Sequence, residues 1–281
     1  MSLILTEEQE LLKDSARSFV ADNWGVGELR KLRDVRDGPG YDADLWQQMV
    51  ALGWTAIPFP ESCGGLGLGY AELGVVLEEL GRGLVVSPLL SSVVLGGGAV
   101  HLGGSEEQQQ ALLPGVCDGS RLLSLAYQET PRHDPYAVET QAVPSGDGYR
   151  LSGRKVLVLD GAAADLLVVA ARTAGASGDR DGLTLFVVDP TAAGVTVKRN
   201  VLLDSRSAAN IELKDAEVGA DSVLGTPGQG AEILDEVFSR AAVALSADMV
   251  GGIQESFDIT LEYLKVREQF GAKIGSFQGL K

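Results

Sequence analysis

The one stretch whose spacing could cradle a phosphate is Gly64-Gly65-Leu66-Gly67-Leu68-Gly69. Backbone N–H groups of a glycine-rich loop hold anions when a strand leads in and a helix leads out. Here the run follows Pro60 and Glu61, with no strand pattern before it and no Lys-Ser/Thr after it. These residues read as a tight turn ahead of the next helix. No Gly-x-Ser-x-Gly occurs, so a serine nucleophile on a strand-to-helix elbow has no support. His101 and His133 are isolated, and Cys63 and Cys117 lack zinc-ligand spacing, so no metal site is expected. The acids of LEELG and LDEVF read as solvated helix faces. Single residues name no reaction.

Composition narrows the classes. The chain has 281 residues, with 23 Lys+Arg against 39 Asp+Glu, a formal net charge of −16. That balance argues against nucleic acid, whose phosphates need a basic face, and against a polybasic membrane contact. Two cysteines make no disulfide framework, which favours a reducing compartment. The start, MSLILTEEQELLKD, has no basic n-region or signal h-region. The longest apolar candidate, 84–100, is broken by Pro88, serines and glycines, so no membrane insertion is expected. A soluble, cytoplasmic protein is the expectation.

The elements that must position any chemistry fall into three blocks, an α+β multidomain chain. An N-terminal helical domain is expected over 1–118. Thr6 and Gln9 form a capping box, and Leu11, Leu12, Ala16, Phe19 and Val20 then fall on one face. Further helices fit DADLWQQMVALGW, YAELGVVLEELGRGL and SEEQQQALLPGV, the last with Ser105 as N-cap. A middle antiparallel β-barrel or sandwich is expected over 119–226. RLLSLAY, GYRLSGRKVLVL, ADLLVVAAR, GLTLFVVD, GVTVKRNV and ANIELKD are short strand-like runs with no helix between them. ARTAGASGDRDG reads as a hairpin loop. The start of a C-terminal helical bundle, incomplete, is expected over 227–281: one helix of about ten turns, then a stub capped by Ser276.

Four ordered strings resemble one family, the FAD-dependent acyl-CoA dehydrogenases. They are LGWTAIPFPESCGGLGLGYAELGVVLEELGRGL, GSEEQQQALLPGVCDG, LSGRKVLVLDGAAADLLVV and LKVREQFGAKIGSFQ. The last is close to the family's Arg-x-x-Phe-Gly-x-x-Ile-x-x-Phe-Gln signature. The resemblance covers the whole chain in family order. It implies α,β-dehydrogenation of a CoA thioester: a carboxylate base removes the α-proton and the β-hydrogen leaves as hydride to FAD. It also implies transfer of electrons to an electron-transfer flavoprotein and a homo- or hetero-oligomer, a dimer or tetramer.

Carried over residue by residue, the resemblance is uneven. Arg267, Phe270 and Gln278 match positions that reach the FAD of a neighbouring subunit, where an always-charged fork suits a pyrophosphate. Gln128 stands where the family has a hydroxyl residue, and its amide is expected to donate to a flavin carbonyl. Leu157 and Leu159 replace the family's Trp and Thr beside the flavin, giving apolar contact without stacking or a hydroxyl. Arg240 matches the Arg at the start of the long helix and is assigned to substrate. The base is unassigned. The family's late position is expected beyond Lys281, and its early position, just before Arg240, holds Ser239. Asp235, Glu236 and Asp248 share that helix without matching the motif. The main expectation is a dehydrogenase whose 281 residues alone are inactive. The alternative is a non-catalytic or weakly flavin-binding subunit of a hetero-oligomeric enzyme. A CoA-thioester binding module without redox chemistry is the third.

Overall fold

A computed structural model describes residues 4–35 and 37–280. The first block is helical: α1 (Glu7–Asn23), α2 (Val26–Asp34), α3 (Ala43–Ala51), α4 (Tyr70–Arg82), a π-helix (Leu89–Gly97), α5 (Gly98–Gly103) and α6 (Glu106–Cys117). Local chemistry sets the starts. Thr6 with Gln9 and Ser105 with Gln108 form reciprocal capping boxes, and Asp42 accepts the Leu45 N–H. Ala16, Phe19 and Val20 turn inward, and the Phe19 ring meets Trp54 edge-on at 5.0 Å. Leu11, expected on that face, is instead 71% exposed. The periodicity there extends one residue too far round the helix. The glycine-rich run is a turn: Leu66, Gly67 and Leu68 donate to the carbonyls of Ala56, Phe59 and Ile57.

The middle block is an eight-stranded sheet of β1 (Leu123–Ala126), β2 (Gln141–Ser145), β3 (Gly148–Leu159), β4 (Leu166–Arg172), β5 (Leu183–Val188), β6 (Val195–Val201), β7 (Ser207–Val218) and β8 (Val223–Leu224). The order is β6-β7-β3-β2-β4-β5-β8, with β1 beside β4. Pairing is antiparallel except for β1 on β4 and the single bridge Gln141–Arg172. β4 lacks alternation because both its faces are buried. Val168 and Ala170 join the core shared with the helices, and Leu167, Val169 and Ala171 join the interior of the β block. The buried Arg172 guanidinium donates to the carbonyls of Val138, Tyr136, Asp179 and Asp181, fixing the β4–β5 loop.

The third block is α7 (Gly230–Val266), the hairpin β9 (Glu268–Gln269) and β10 (Ala272–Lys273), and two single 3-10 turns. Ser276 does not cap a new α-helix, as its position suggested. It ends a 3-10 turn, and its hydroxyl donates to the Lys273 carbonyl. Among the described residues no helix is long and apolar enough to cross a membrane.

α7 returns across α4, and the two backbones touch. A Cβ on Gly81 would lie 2.0 Å from the Asp248 carbonyl oxygen, and one on Gly251 would lie 1.8 Å from that of Glu78. Only glycine allows this approach. Arg82 ties the same crossing at its edge, donating to Glu255 and Asp258 at 2.8 Å each. Glu79, 1% exposed, accepts from Arg17 of α1 at 3.0 and 3.3 Å. Gly81→Ala and Gly251→Ala are each expected to destabilise the fold by about 1–3 kcal/mol through overpacking. Gly74→Ala, whose Cβ would meet that of Ala247 at an ordinary 3.7 Å, is expected to be neutral or stabilising by up to ~1 kcal/mol. Chemical denaturation of the three variants checks this; equal effects would show that the crossing is not limited by backbone contact.

Candidate functional site

Gln128 follows β1 and lies beside the end of β3 that carries Leu157 and Leu159. The Val156 N–H donates to the Gln128 carbonyl at 2.8 Å, zipping the two strand ends. The Gln128 amide donates to the Thr130 carbonyl at 2.8 Å, so the donor expected for a flavin carbonyl is engaged within its own loop. Leu157, 36% exposed, has left-handed backbone (φ 53), and its N–H meets Asn210 Oδ1 at 3.4 Å. β3 carries register shifts at Leu151/Gly153 and at Lys155/Val158, and the second of these turns Leu157 outward. Leu157 and Leu159, two residues apart at the end of β3, make an apolar ledge with neither an aromatic ring nor a hydroxyl.

Under the ledge is an ion pair that period-two patterning had not exposed. Lys155 Nζ meets Glu129 Oε1 at 2.6 Å, with Lys155 fully buried. Burial pulls the ammonium down to about 8 against the pull of Glu129. Burial acts to raise the Glu129 carboxyl, but Lys155, Thr140 and the Glu139 N–H together hold it below the usual range. The bulges hide the signal, because they break the alternation that would place Lys155 inside.

Beyond the ledge opens a cleft of about 690 Å³ between α4, the β6–β7 loop and α7. Leu159, Leu84, Val86 and Leu90 line one part, and Leu245, Asp248 and Met249 of α7 line another. Where β3 ends, Asp160 (φ 51) accepts the Ser91 hydroxyl of the π-helix at 2.5 Å. Burial pushes the Asp160 carboxyl up to about 6, opposed by Ser91, Arg206 and Arg199.

α7 separates the remaining expected residues. Arg240 donates to Glu236 at 2.8 Å and lies over the Tyr70 ring at 5.7 Å. Asp235 is engaged by Arg180 and by the Tyr136 hydroxyl, with Arg180 first among the groups that hold its carboxyl low. Arg267, Phe270 and Gln278 lie past the C-terminal end of α7. From Arg240 to Arg267 is 27 residues, about 40 Å at 1.5 Å per helical residue. They therefore stand well away from Arg240 along their own chain. Phe270 (φ 55) and Gly271 (φ 76) form the tip of the β9–β10 hairpin, presenting a phenyl ring that is 93% exposed. The base position expected beyond Lys281 lies outside the described residues.

Asp160 generates a sign-definite prediction. Its folded-state value, about 6, lies above the ordinary 3.8, so the folded chain binds the proton more tightly than the unfolded one. The stabilisation is fully present below about pH 4 and is lost as pH rises through about 6. Asp160→Asn keeps a left-handed-tolerant side chain. It is expected to flatten this decline and to be more stable than the parent by about 2–3 kcal/mol at neutral pH. Thermal unfolding from pH 4 to 8 checks it; parallel profiles for the two proteins would contradict it.

Sequence models of three domains match the chain: acyl-CoA dehydrogenase N-terminal domain at 6–120, middle domain at 128–216 and C-terminal domain at 228–281. Acyl-CoA dehydrogenase FadE27 of Mycobacterium tuberculosis is 32% identical over 240 residues, which are 85% of this chain and 61% of FadE27. The solved Tcur3481–Tcur3483 steroid ACAD is 35% identical with a TM-score of 0.84, covering 98% of this chain and 71% of that one. The ChsE4–ChsE5 complex from Mycobacterium tuberculosis is 30% identical with a TM-score of 0.87, covering 99% and 72%. Helical block, β block and long closing helix match that architecture in order, and the chain belongs to the acyl-CoA dehydrogenase family, whose members are FAD-dependent flavoproteins.

Proposed function

We propose that this chain serves the α,β-dehydrogenation of a CoA thioester, in the cleft between the Leu157–Leu159 ledge and α7. The observation that carries it is that Leu159, two residues beyond the exposed Leu157, lines the largely apolar cleft beside α4 and α7. FAD, when bound, supplies the acceptor for the β-hydride. The chain's own part is binding, orientation and exclusion of water. Leu157 and Leu159 support the ring, and the Gln128 segment borders it. Arg240, steadied by Glu236 and Tyr70, serves the substrate side. Arg267, Phe270 and Gln278, displaced along α7 and exposed, serve the FAD of a neighbouring subunit. We divide the chain at 1–118, 119–226 and 227–281, and assign it to a cytoplasmic homo- or hetero-oligomer that passes electrons to an electron-transfer flavoprotein.

A second reading is a non-catalytic or weakly flavin-binding subunit of a hetero-oligomer. The leucines at 157 and 159 and the engaged Gln128 amide favour it, as does the likeness to a complex of two named components. On either reading residues 1–281 alone give no useful turnover. Ser239 supplies no carboxylate before Arg240, Asp235 and Glu236 are held in ion pairs, and Asp248, about two turns on, faces Arg206 and does not match the motif. Loss of a general base lowers rates by roughly 10²–10⁴-fold.

Two measurements test this. Arg267→Ala is expected to lower flavin content, read from the visible flavin absorbance, with the fold intact and the thermal midpoint of the flavin-free protein unchanged. The lost charge-assisted contacts are about 1.5–3 kcal/mol. Normal flavin content in the variant would leave Arg267 no part in the site. In the second, dye reduction by residues 1–281 with a panel of short, medium and bulky CoA thioesters is expected at background, and robust turnover would overturn the inactive-chain reading.

A further inference from the structure

A polar cluster, Asp204, Ser205, Arg206 and Asp248, interrupts the apolar surface of the cleft. Arg206, where the β6–β7 loop enters β7, faces Asp248 of α7 at 3.7 Å and Asp204 of its own loop at 3.8 Å. Both separations exceed a hydrogen bond, so these carboxylates do not consume the guanidinium donors. The loop holds the residue in place. Asp204 accepts the Arg206 N–H at 3.1 Å, and the Arg206 carbonyl accepts from Leu202 at 3.0 Å. Around them stand Leu84, Leu90, Leu245 and Met249. A fork of N–H donors beside a carboxylate acceptor, in a largely apolar cleft, suits one oxygen atom that needs both.

We propose that Arg206 and Asp248 form a specificity subsite for a neutral oxygen function, a hydroxyl or a ketone, carried on a bulky apolar acyl group away from the thioester. This deepens the acyl-CoA reading above and rests on it. A hydroxyl accepts from Arg206 and donates to Asp248; a ketone uses Arg206 alone. The cleft's 690 Å³ leaves room for a bulky acyl group. Charge selects against a terminal carboxylate. Asp160, Asp204 and Asp248 stand around Arg206, and Arg199 is the second positive charge acting on Asp160 among the described residues. A site built to hydrogen-bond an oxygen discriminates against the analogue that lacks it, because its own polar groups are then left unpaired.

The test is calorimetric titration of the purified protein with four matched thioesters: 4-cyclohexylbutanoyl-CoA and its ring 4-hydroxy, 4-oxo and 4-carboxy derivatives. The hydroxy and oxo compounds are expected to bind about tenfold more tightly than the cyclohexyl parent, and the carboxy compound more weakly than the parent. Arg206→Leu should erase both gains. Asp248→Asn should reduce the hydroxyl's gain, spare the ketone's, and relieve the carboxylate. Equal binding of all four by the unaltered protein, or tightest binding of the carboxylate, would overturn the subsite while leaving the acyl-CoA reading in place. Failure of all four to bind, with free CoA also silent, would defeat the acyl-CoA reading itself. The comparison among ligands needs no variant, so a variant that fails to fold does not decide the outcome.

Discussion

Everything at the candidate site hangs on the backbone contact between α4 and α7. Gly81 lies against the Asp248 carbonyl and Gly251 against that of Glu78, distances that any side chain at either position would forbid. That contact sets the separation of the two helices, and hence the width of the slot that Leu84, Leu245 and Met249 line beside it. Polar clamps hold the angle. Arg82 reaches Glu255 and Asp258 on α7, and Glu79 receives Arg17 from α1. A half-buried guanidinium shared by two carboxylates fixes geometry more firmly than an exposed pair does.

The β block adds the other wall through a chain of supports. Lys155 and Glu129 lock the end of β3 to the segment after β1, and the bulge beyond Lys155 presents Leu157 outward. One residue past Leu159, Asp160 is bound to Ser91 of the π-helix. The ledge therefore rests on the helical block as well as on its own sheet. Asp160 keeps this join at a cost in stability above its shifted titration range, as expected where a carboxyl is buried for position and not for strength. Arg206 and Asp248 close the opposite side, so three segments far apart in sequence meet at one opening.

Much of this was legible in the residues, and the rest was hidden for definite reasons. Thr6 with Gln9, and Ser105 with Gln108, announced their helix starts because capping is a local reaction between a side chain and nearby amides. α7 was legible through sustained apolar spacing. α2 was not: Val26–Asp34 buries no residue fully, so its pattern carries no core stripe. The parallel pairing of β1 with β4 depends on contacts 43 residues apart that periodicity does not encode. Ser276 follows a glycine and could cap a helix, yet its hydroxyl finds the Lys273 carbonyl first. At the candidate site, motif strings are what singled out Gln128, Leu157, Leu159 and the Arg267 hairpin as proposed flavin contacts. Lys155–Glu129 and Arg206–Asp248 stayed hidden, because each pairs residues brought together only by bulges and loops.

The most direct test of the central claim is the experimental structure of the protein in complex with FAD and octanoyl-CoA. The expected result is the flavin ring on Leu157 and Leu159, with the acyl chain in the cleft between Leu84, Leu90, Leu245 and Met249. Ligand density confined to the separate cavity beside Arg17, Trp24 and Arg82, with the ledge left to solvent, would contradict it.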